Sequence, residues 1–132
     1  MAGEPVLIVD DNAANLKLMS FVLSSSGYDV HTATNGEGAL ALLEGWRPRL
    51  ILLDLQLPGV NGFEVARRLK SAPETSAIVI VAVTAYAMKG DERRALDAGC
   101  DFYLSKPLDT RALPGIVARL LESRGGHGAA EP

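Results

Sequence analysis

Three carboxylates, a hydroxyl and an ammonium stand at the ends of what read as separate strands. Asp10 and Asp11 follow Val6-Leu7-Ile8-Val9, and Asp54 follows Leu50-Ile51-Leu52-Leu53. Thr84 follows Ile78-Val79-Ile80-Val81-Ala82-Val83, and Lys106 comes just after Phe102-Tyr103-Leu104. Two acids after a strand can simply solvate a helix N-terminus. Three acids in one crevice repel each other, which raises their pKa values unless a cation intervenes. Mg²⁺ takes oxygen ligands, often one or two carboxylates with waters and a substrate phosphate. The chemistry such a set suits is phosphoryl transfer. Asp54 can act as the nucleophile, as carboxylates do in aspartyl-phosphate chemistry, and needs no general base because it is already ionised. Asp10 and Asp11 would hold the metal, and a backbone carbonyl near Gln56 would complete its ligands. Lys106 offers a compact charge for a phosphate oxygen, and Thr84 a hydroxyl for another.

These residues meet only if the strands lie parallel in one sheet. Apolar runs of this length between helix-like stretches are the pattern of a buried parallel sheet. Helices are expected over Asn12 to Ser26 (stopped by Gly27), from an Asn35 cap to about Glu44, over Phe63 to Ser71, over Met88 to Ala98 (stopped by Gly99), and from Asp109 to about Ser123. Tyr28 to Ala33 reads as a weaker strand. Leu57-Pro58-Gly59-Val60-Asn61-Gly62 reads as a turn-rich loop. Five strand-helix units give an α/β, doubly wound, five-stranded parallel sheet with helices on both faces. Right-handed crossovers put every strand-to-helix loop on one edge, where open α/β sheets bind ligands.

Composition narrows the class. The chain has 132 residues, enough for one domain, with a net charge of −3 and 48% hydrophobic residues. No basic stripe favours nucleic acid. The single cysteine, Cys100, excludes an internal disulfide and reads as a small buried hydrophobe. No stretch resembles a signal peptide, and no apolar run approaches the roughly 20 residues of a membrane span. A cytoplasmic protein with no membrane insertion is expected. So are one domain over residues 1–124 and a flexible tail over 125–132, with no room for a further output module. His31 and His127 are too isolated for a metal site, and Trp46 is expected to cover a helix end.

With Asp10-Asp11, Asp54-Leu55-Gln56-Leu57-Pro58-Gly59, Gly62, Thr84-Ala85 and Lys106-Pro107 in place, the chain resembles a response-regulator receiver domain of two-component signalling. The separations match that family: 30 positions from Asp54 to Thr84 and 22 from Thr84 to Lys106. The resemblance covers roughly residues 5 to 123. It implies a flavodoxin-like (βα)5 fold with strand order 2-1-3-4-5. It implies phosphorylation of Asp54 by a histidine kinase or histidine phosphotransfer protein. It also implies Mg²⁺ on Asp10, Asp11, Asp54 and the Gln56 carbonyl, and phosphoryl contacts from Thr84 and Lys106. Tyr103 matches the family's switch aromatic, and Gln56 and Tyr86 occupy positions that tune dephosphorylation. The peptide before Pro107 is cis in the family. The partner face would be the fourth helix, fifth strand and fifth helix, including Met88, Lys89 and Tyr103. The segment from Val83 to Glu92 is similar to stand-alone regulators of the DivK type and to receivers of hybrid kinases.

The expected function is therefore a stand-alone switch read by a downstream protein partner, as a monomer or a phosphorylation-dependent dimer, rather than an enzyme. The alternatives are a phosphorelay intermediate, a receiver excised from a hybrid kinase, a degenerate scaffold, or an aspartyl-phosphate hydrolase. The last usually places a second acid two residues after its nucleophile, and here that residue is Gln56. The first helix carries more apolar residues than one core stripe needs, including Leu18, Met19, Phe21 and Val22. Part of that surface is available to a kinase's helical bundle.

Overall fold

The apolar runs become five parallel strands of one sheet in the computed structural model, which describes residues 3–57, 59–85, 90–106 and 108–122. The strands are β1 (Pro5–Val9), β2 (Asp29–Ala33), β3 (Leu50–Asp54), β4 (Val79–Thr84) and β5 (Phe102–Ser105). They alternate with α1 (Ala13–Ser25), α2 (Gly36–Leu42), α3 (Gly62–Ser71), α4 (Asp91–Asp97) and α5 (Leu113–Leu121). The order across the sheet is β2-β1-β3-β4-β5, as the resemblance implied. The side-chain period of two divides each strand between the sheet's two faces. Leu7, Val9, Ile51, Leu53, Ile80 and Ala82 pack under α2, α3 and α4. Val6, Ile8, Leu50, Leu52, Val79, Val81 and Val83 pack under α1 and α5. Every residue of β3 and β4 is buried, because helices cover both faces there.

Local chemistry sets the helix starts. Asn12, Asn35 and Asn61 each accept an N–H from three residues on, at 2.7–3.0 Å. Two starts differ from the sequence expectation by more than one residue. The fourth helix begins at Asp91, not Met88, because Gly90 has φ 95°, a left-handed conformation that no helix interior contains. The fifth begins at Leu113, not Asp109. Asp109 Oδ1 instead accepts the Arg111 and Ala112 N–H groups at 3.0 and 3.4 Å and forms a turn. Pro114 explains the delay: it has no N–H and fits a helix only in its first turn.

The amino edge of the sheet is built for rigidity. Lys70 Nζ lies 2.9 Å from Asp101 Oδ2 and also donates to the carbonyls of Ser76 and Ile78. Asp101 Oδ2 accepts the Ile80 N–H as well, at 2.9 Å. Beside this network Cys100 is buried, and burial first, then Asp101, pushes its thiol up to about 12, which leaves it unreactive. Trp46 stacks on His31 with ring centroids 3.9 Å apart.

Candidate functional site

The carboxyl edge carries the polar set, and ladder bonds continue one residue past several strands to fix it. Asp10 N–H donates to the Ala33 carbonyl at 3.1 Å, Leu55 N–H to Val83 at 3.0 Å, and Lys106 N–H to Thr84 at 2.8 Å. Asp10 Oδ1 accepts the Asn12 N–H at 2.8 Å, which links the acid pair to the capped start of α1. Gly62 closes the other side. A Cβ there would lie 2.6 Å from the Asp54 carbonyl oxygen and 2.7 Å from Leu55 Cα, so only glycine lets α3 press on this strand end.

Within this frame, carboxylate oxygens of Asp10, Asp11 and Asp54 lie within 4.8 Å of one another. Asp10 and Asp54 are buried and Asp11 is exposed. Lys106 Nζ sits 3.0 Å from Asp54 Oδ2 and 3.1 Å from Asp10 Oδ2, bridging the two. Asp54 Oδ1 accepts the Gln56 N–H at 2.9 Å. Thr84, fully buried, donates its hydroxyl to Gln56 Oε1 at 2.7 Å. Tyr103 is half-buried on β5, opposite Ala82 in register, against the core beneath α2, α3 and α4.

Burial raises the Asp54 carboxyl above its ordinary range. The Gln56 N–H and the Lys106 ammonium oppose that rise, and the Asp10 charge adds to it. Burial pulls Lys106 down, but its bonds to Asp54 and Asp10 outweigh this and hold it above the usual lysine range. Among the described residues, the Lys106 ammonium thus bridges two of the three gathered carboxylates. An all-oxygen set with surplus negative charge suits a hard divalent cation.

The site opens beside a cavity of about 490 Å³ lined by Leu18 and Met19 of α1, by Ala85 and Lys106, and by Leu108 and Thr110. Next to it α1 exposes Leu18 (50%) and Phe21 (70%).

Sequence reading placed Asp10, Asp11, Asp54, Thr84 and Lys106 together, and the structure gathers all five on one edge. It did not find that the Gln56 side chain holds Thr84. The pair is 28 positions apart, and no periodicity links a loop amide to a strand-end hydroxyl. It also did not find Arg94 Cζ 4.2 Å over the Phe63 ring, a contact tying α4 to the start of α3. Tyr86, Met88, Lys89, Pro107 and the expected tail lie outside the described residues.

The sequence pattern of the family described as "Response regulator receiver domain" matches residues 6–118. The polar-differentiation response regulator DivK of Brucella anthropi is 48% identical over 103 residues, covering 78% of this chain and 84% of that protein. A CheY-like response regulator receiver domain protein from Methanospirillum hungatei superposes with a TM-score of 0.88 at 28% identity, covering 96% of this chain and 99% of the other. The receiver domain of a sensor histidine kinase from Pseudomonas aeruginosa, solved with a magnesium ion coordinated in its active site cleft, gives a TM-score of 0.82. It is 33% identical and covers 91% of this chain and 98% of the other.

Proposed function

Because this chain belongs to the response regulator receiver domain family of two-component signalling, we propose that it accepts a phosphoryl group on Asp54 from a histidine kinase or phosphotransfer protein and passes the event on as a change of shape. The observation that carries this reading is the Asp54 carboxylate on the central strand, bonded to Lys106 at 3.0 Å and gathered with Asp10 and Asp11. In the transfer, one Asp54 carboxylate oxygen forms the O–P bond as the donor's N–P bond breaks, and the imidazole nitrogen keeps the electron pair. The Gln56 N–H steadies the other Asp54 oxygen. Lys106 leaves Asp54 for a phosphoryl oxygen without leaving Asp10. Asp10, Asp11, Asp54 and the Gln56 carbonyl would hold Mg²⁺, whose positive charge would offset the negative charge of the acceptor and the phosphoryl oxygens.

Thr84 is the second phosphoryl contact, and its movement lets Tyr103 turn inward. A shift from 1:99 to 99:1 between arrangements needs roughly 5.5 kcal/mol of differential binding. Two hydrogen bonds to a charged group, at about 1.5–3 kcal/mol each, reach that scale. The partner face is α4, β5 and α5 with Met88, Lys89 and Tyr103, and Gln56 and Tyr86 govern water's access to the acyl phosphate. The chain acts as a switch, not as a turnover enzyme. A second reading, the relay intermediate, draws support from similar receivers carried by histidine kinases. Back-transfer from phosphorylated Asp54 to a histidine, with no partner selective for the phosphorylated form, would favour it.

Beryllofluoride with Mg²⁺ tests the site. Amide shifts at Asp54, Thr84 and Lys106 are expected to move in wild type and stay still in Asp54→Asn. A wild type that does not respond contradicts the reading. Mg²⁺ alone is expected to raise the unfolding free energy of wild type by about 1.4 kcal/mol at ten times its dissociation constant. Asp11→Ala should lose most of that gain, and an equal gain in both proteins would remove Asp11 from the ligand set.

The exposed Leu18 and Phe21 suit the apolar contact of a helical phosphodonor. Phe21→Ser should slow phosphotransfer from a histidine donor about ten-fold or more, the scale of a buried interface aromatic. Uptake from acetyl phosphate should be unchanged, and stability should move by less than about 0.5 kcal/mol. Equal slowing with both donors would show that Phe21 supports the site rather than the donor.

A further inference from the structure

A threonine hydroxyl has one proton to give, and in this structure it is already given. Thr84 Oγ1 lies 2.7 Å from Gln56 Oε1, and Thr84 is fully buried while Gln56 is exposed. The donor is therefore fixed in the protein, and the acceptor stands at the rim. The backbone of Gln56 is fixed too, because its N–H bonds Asp54 Oδ1 at 2.9 Å. One residue thus touches the phosphoacceptor through its main chain and the Thr84 hydroxyl through its side chain. A phosphoryl oxygen on Asp54 and the Gln56 amide oxygen must compete for the same proton.

We propose that the Gln56 side chain is a positioning residue that latches Thr84 in the resting arrangement, so that Thr84 reaches a phosphoryl group on Asp54 only after this bond breaks. The inference rests on the reading of Asp54 as phosphoacceptor and Thr84 as phosphoryl contact, and adds to it what restrains the switch beforehand. The direction follows from bond strength. A hydrogen bond to a charged oxygen is roughly twice as strong as one to a neutral amide, so phosphorylation opens the latch. Without phosphate the charged competitor is absent, and the bond to Gln56 holds the resting arrangement. The released amide turns into water at little cost, because Gln56 is already exposed.

Gln56→Met keeps the length and shape of the side chain and removes the acceptor. It should tighten the apparent affinity for beryllofluoride, measured in saturating Mg²⁺, about five-fold, the ratio one ordinary neutral hydrogen bond gives. With neither metal nor fluoride present, the Thr84 methyl and amide resonances of Gln56→Met should shift part of the way toward their positions in the beryllofluoride-bound wild type. In a Thr84→Val background the same Gln56→Met change should alter beryllofluoride affinity by less than two-fold, since no hydroxyl remains to be held. An affinity unchanged by Gln56→Met in the Thr84 protein, or the same five-fold gain in the Thr84→Val protein, overturns the latch while leaving Asp54 as the acceptor. A wild type that takes up no beryllofluoride overturns the parent reading, and the latch falls with it.

Discussion

Asp54→Asn is expected to unfold a few degrees above wild type at pH 7, the scale of about 1 kcal/mol in a domain of this length. The reason lies in where the charge sits. Asp54 is buried at the end of the central strand, and burial raises its carboxyl above the ordinary range despite help from the Gln56 N–H and Lys106. The folded-state value then exceeds the unfolded one. Such a group contributes its full stability below the unfolded carboxylate range and loses it as pH rises through the folded value. At neutral pH the ionised side chain is a net cost, and asparagine removes it. The amide oxygen can still accept the Gln56 N–H, and Lys106 keeps Asp10 at 3.1 Å. The advantage should shrink as pH falls through that raised folded-state value, where the aspartate takes up its own proton. Calorimetric scans of both proteins at pH 7 and pH 4 check this. A lower midpoint for Asp54→Asn at pH 7 would mean that the ion pair outweighs the burial of the charge.

Lys106→Met should produce the opposite and larger effect, a loss of about 2–4 kcal/mol at pH 7, because removing one partner strands buried charges. Asp10 and Asp54 are only 2% and 4% exposed in their side chains, and Lys106 lies within 3.1 Å of both. The pH dependence carries the sign. Protonating Asp54 relieves the repulsion, so the gap to wild type should narrow as pH falls through its raised folded-state value. Lys106 itself is held above the usual lysine range, since its bonds to Asp54 and Asp10 outweigh the opposing effect of burial. Its contribution is therefore present below the unfolded lysine value and lost as pH rises through the folded one. Urea unfolding from acid to alkaline pH should trace a plateau that falls at both ends. Added Mg²⁺ should recover more stability in Lys106→Met than in wild type, because it replaces the missing positive charge. A deficit that ignores both pH and Mg²⁺ would show that Lys106 acts only through packing of its methylene stem.

The fold was legible because its strands are buried on both faces and read as unbroken apolar runs, and because turn chemistry is local. Asn35, expected as a cap, caps α2 in the structure, and Asn12 and Asn61 do the same for α1 and α3 at starts within one residue of those expected. The misplaced starts of α4 and α5 turned on single residues whose effect depends on position: Gly90, with its left-handed backbone, and Pro114, tolerated only in a first turn. The five polar residues of the site were legible for a topological reason, since parallel strands with right-handed crossovers deliver their carboxyl ends to one edge. Side-chain pairings across that edge were not. The bonds from Thr84 to Gln56 and from Lys106 to Asp10 depend on rotamers and on how far each loop leans, and spacing encodes neither. The same holds for the stacking of His31, too isolated in the chain for a metal site, on Trp46, expected to cover a helix end.

Phosphoryl uptake at a single carboxylate is the claim on which the rest depends. Wild type and Asp54→Asn, each incubated with Mg²⁺ and acetyl phosphate and measured intact by mass spectrometry, test it directly. The account predicts a gain of roughly 80 Da in wild type, traced by peptide mapping to Asp54, and no gain in Asp54→Asn. A wild type that gains no mass, or an Asp54→Asn protein that gains as much, would contradict it.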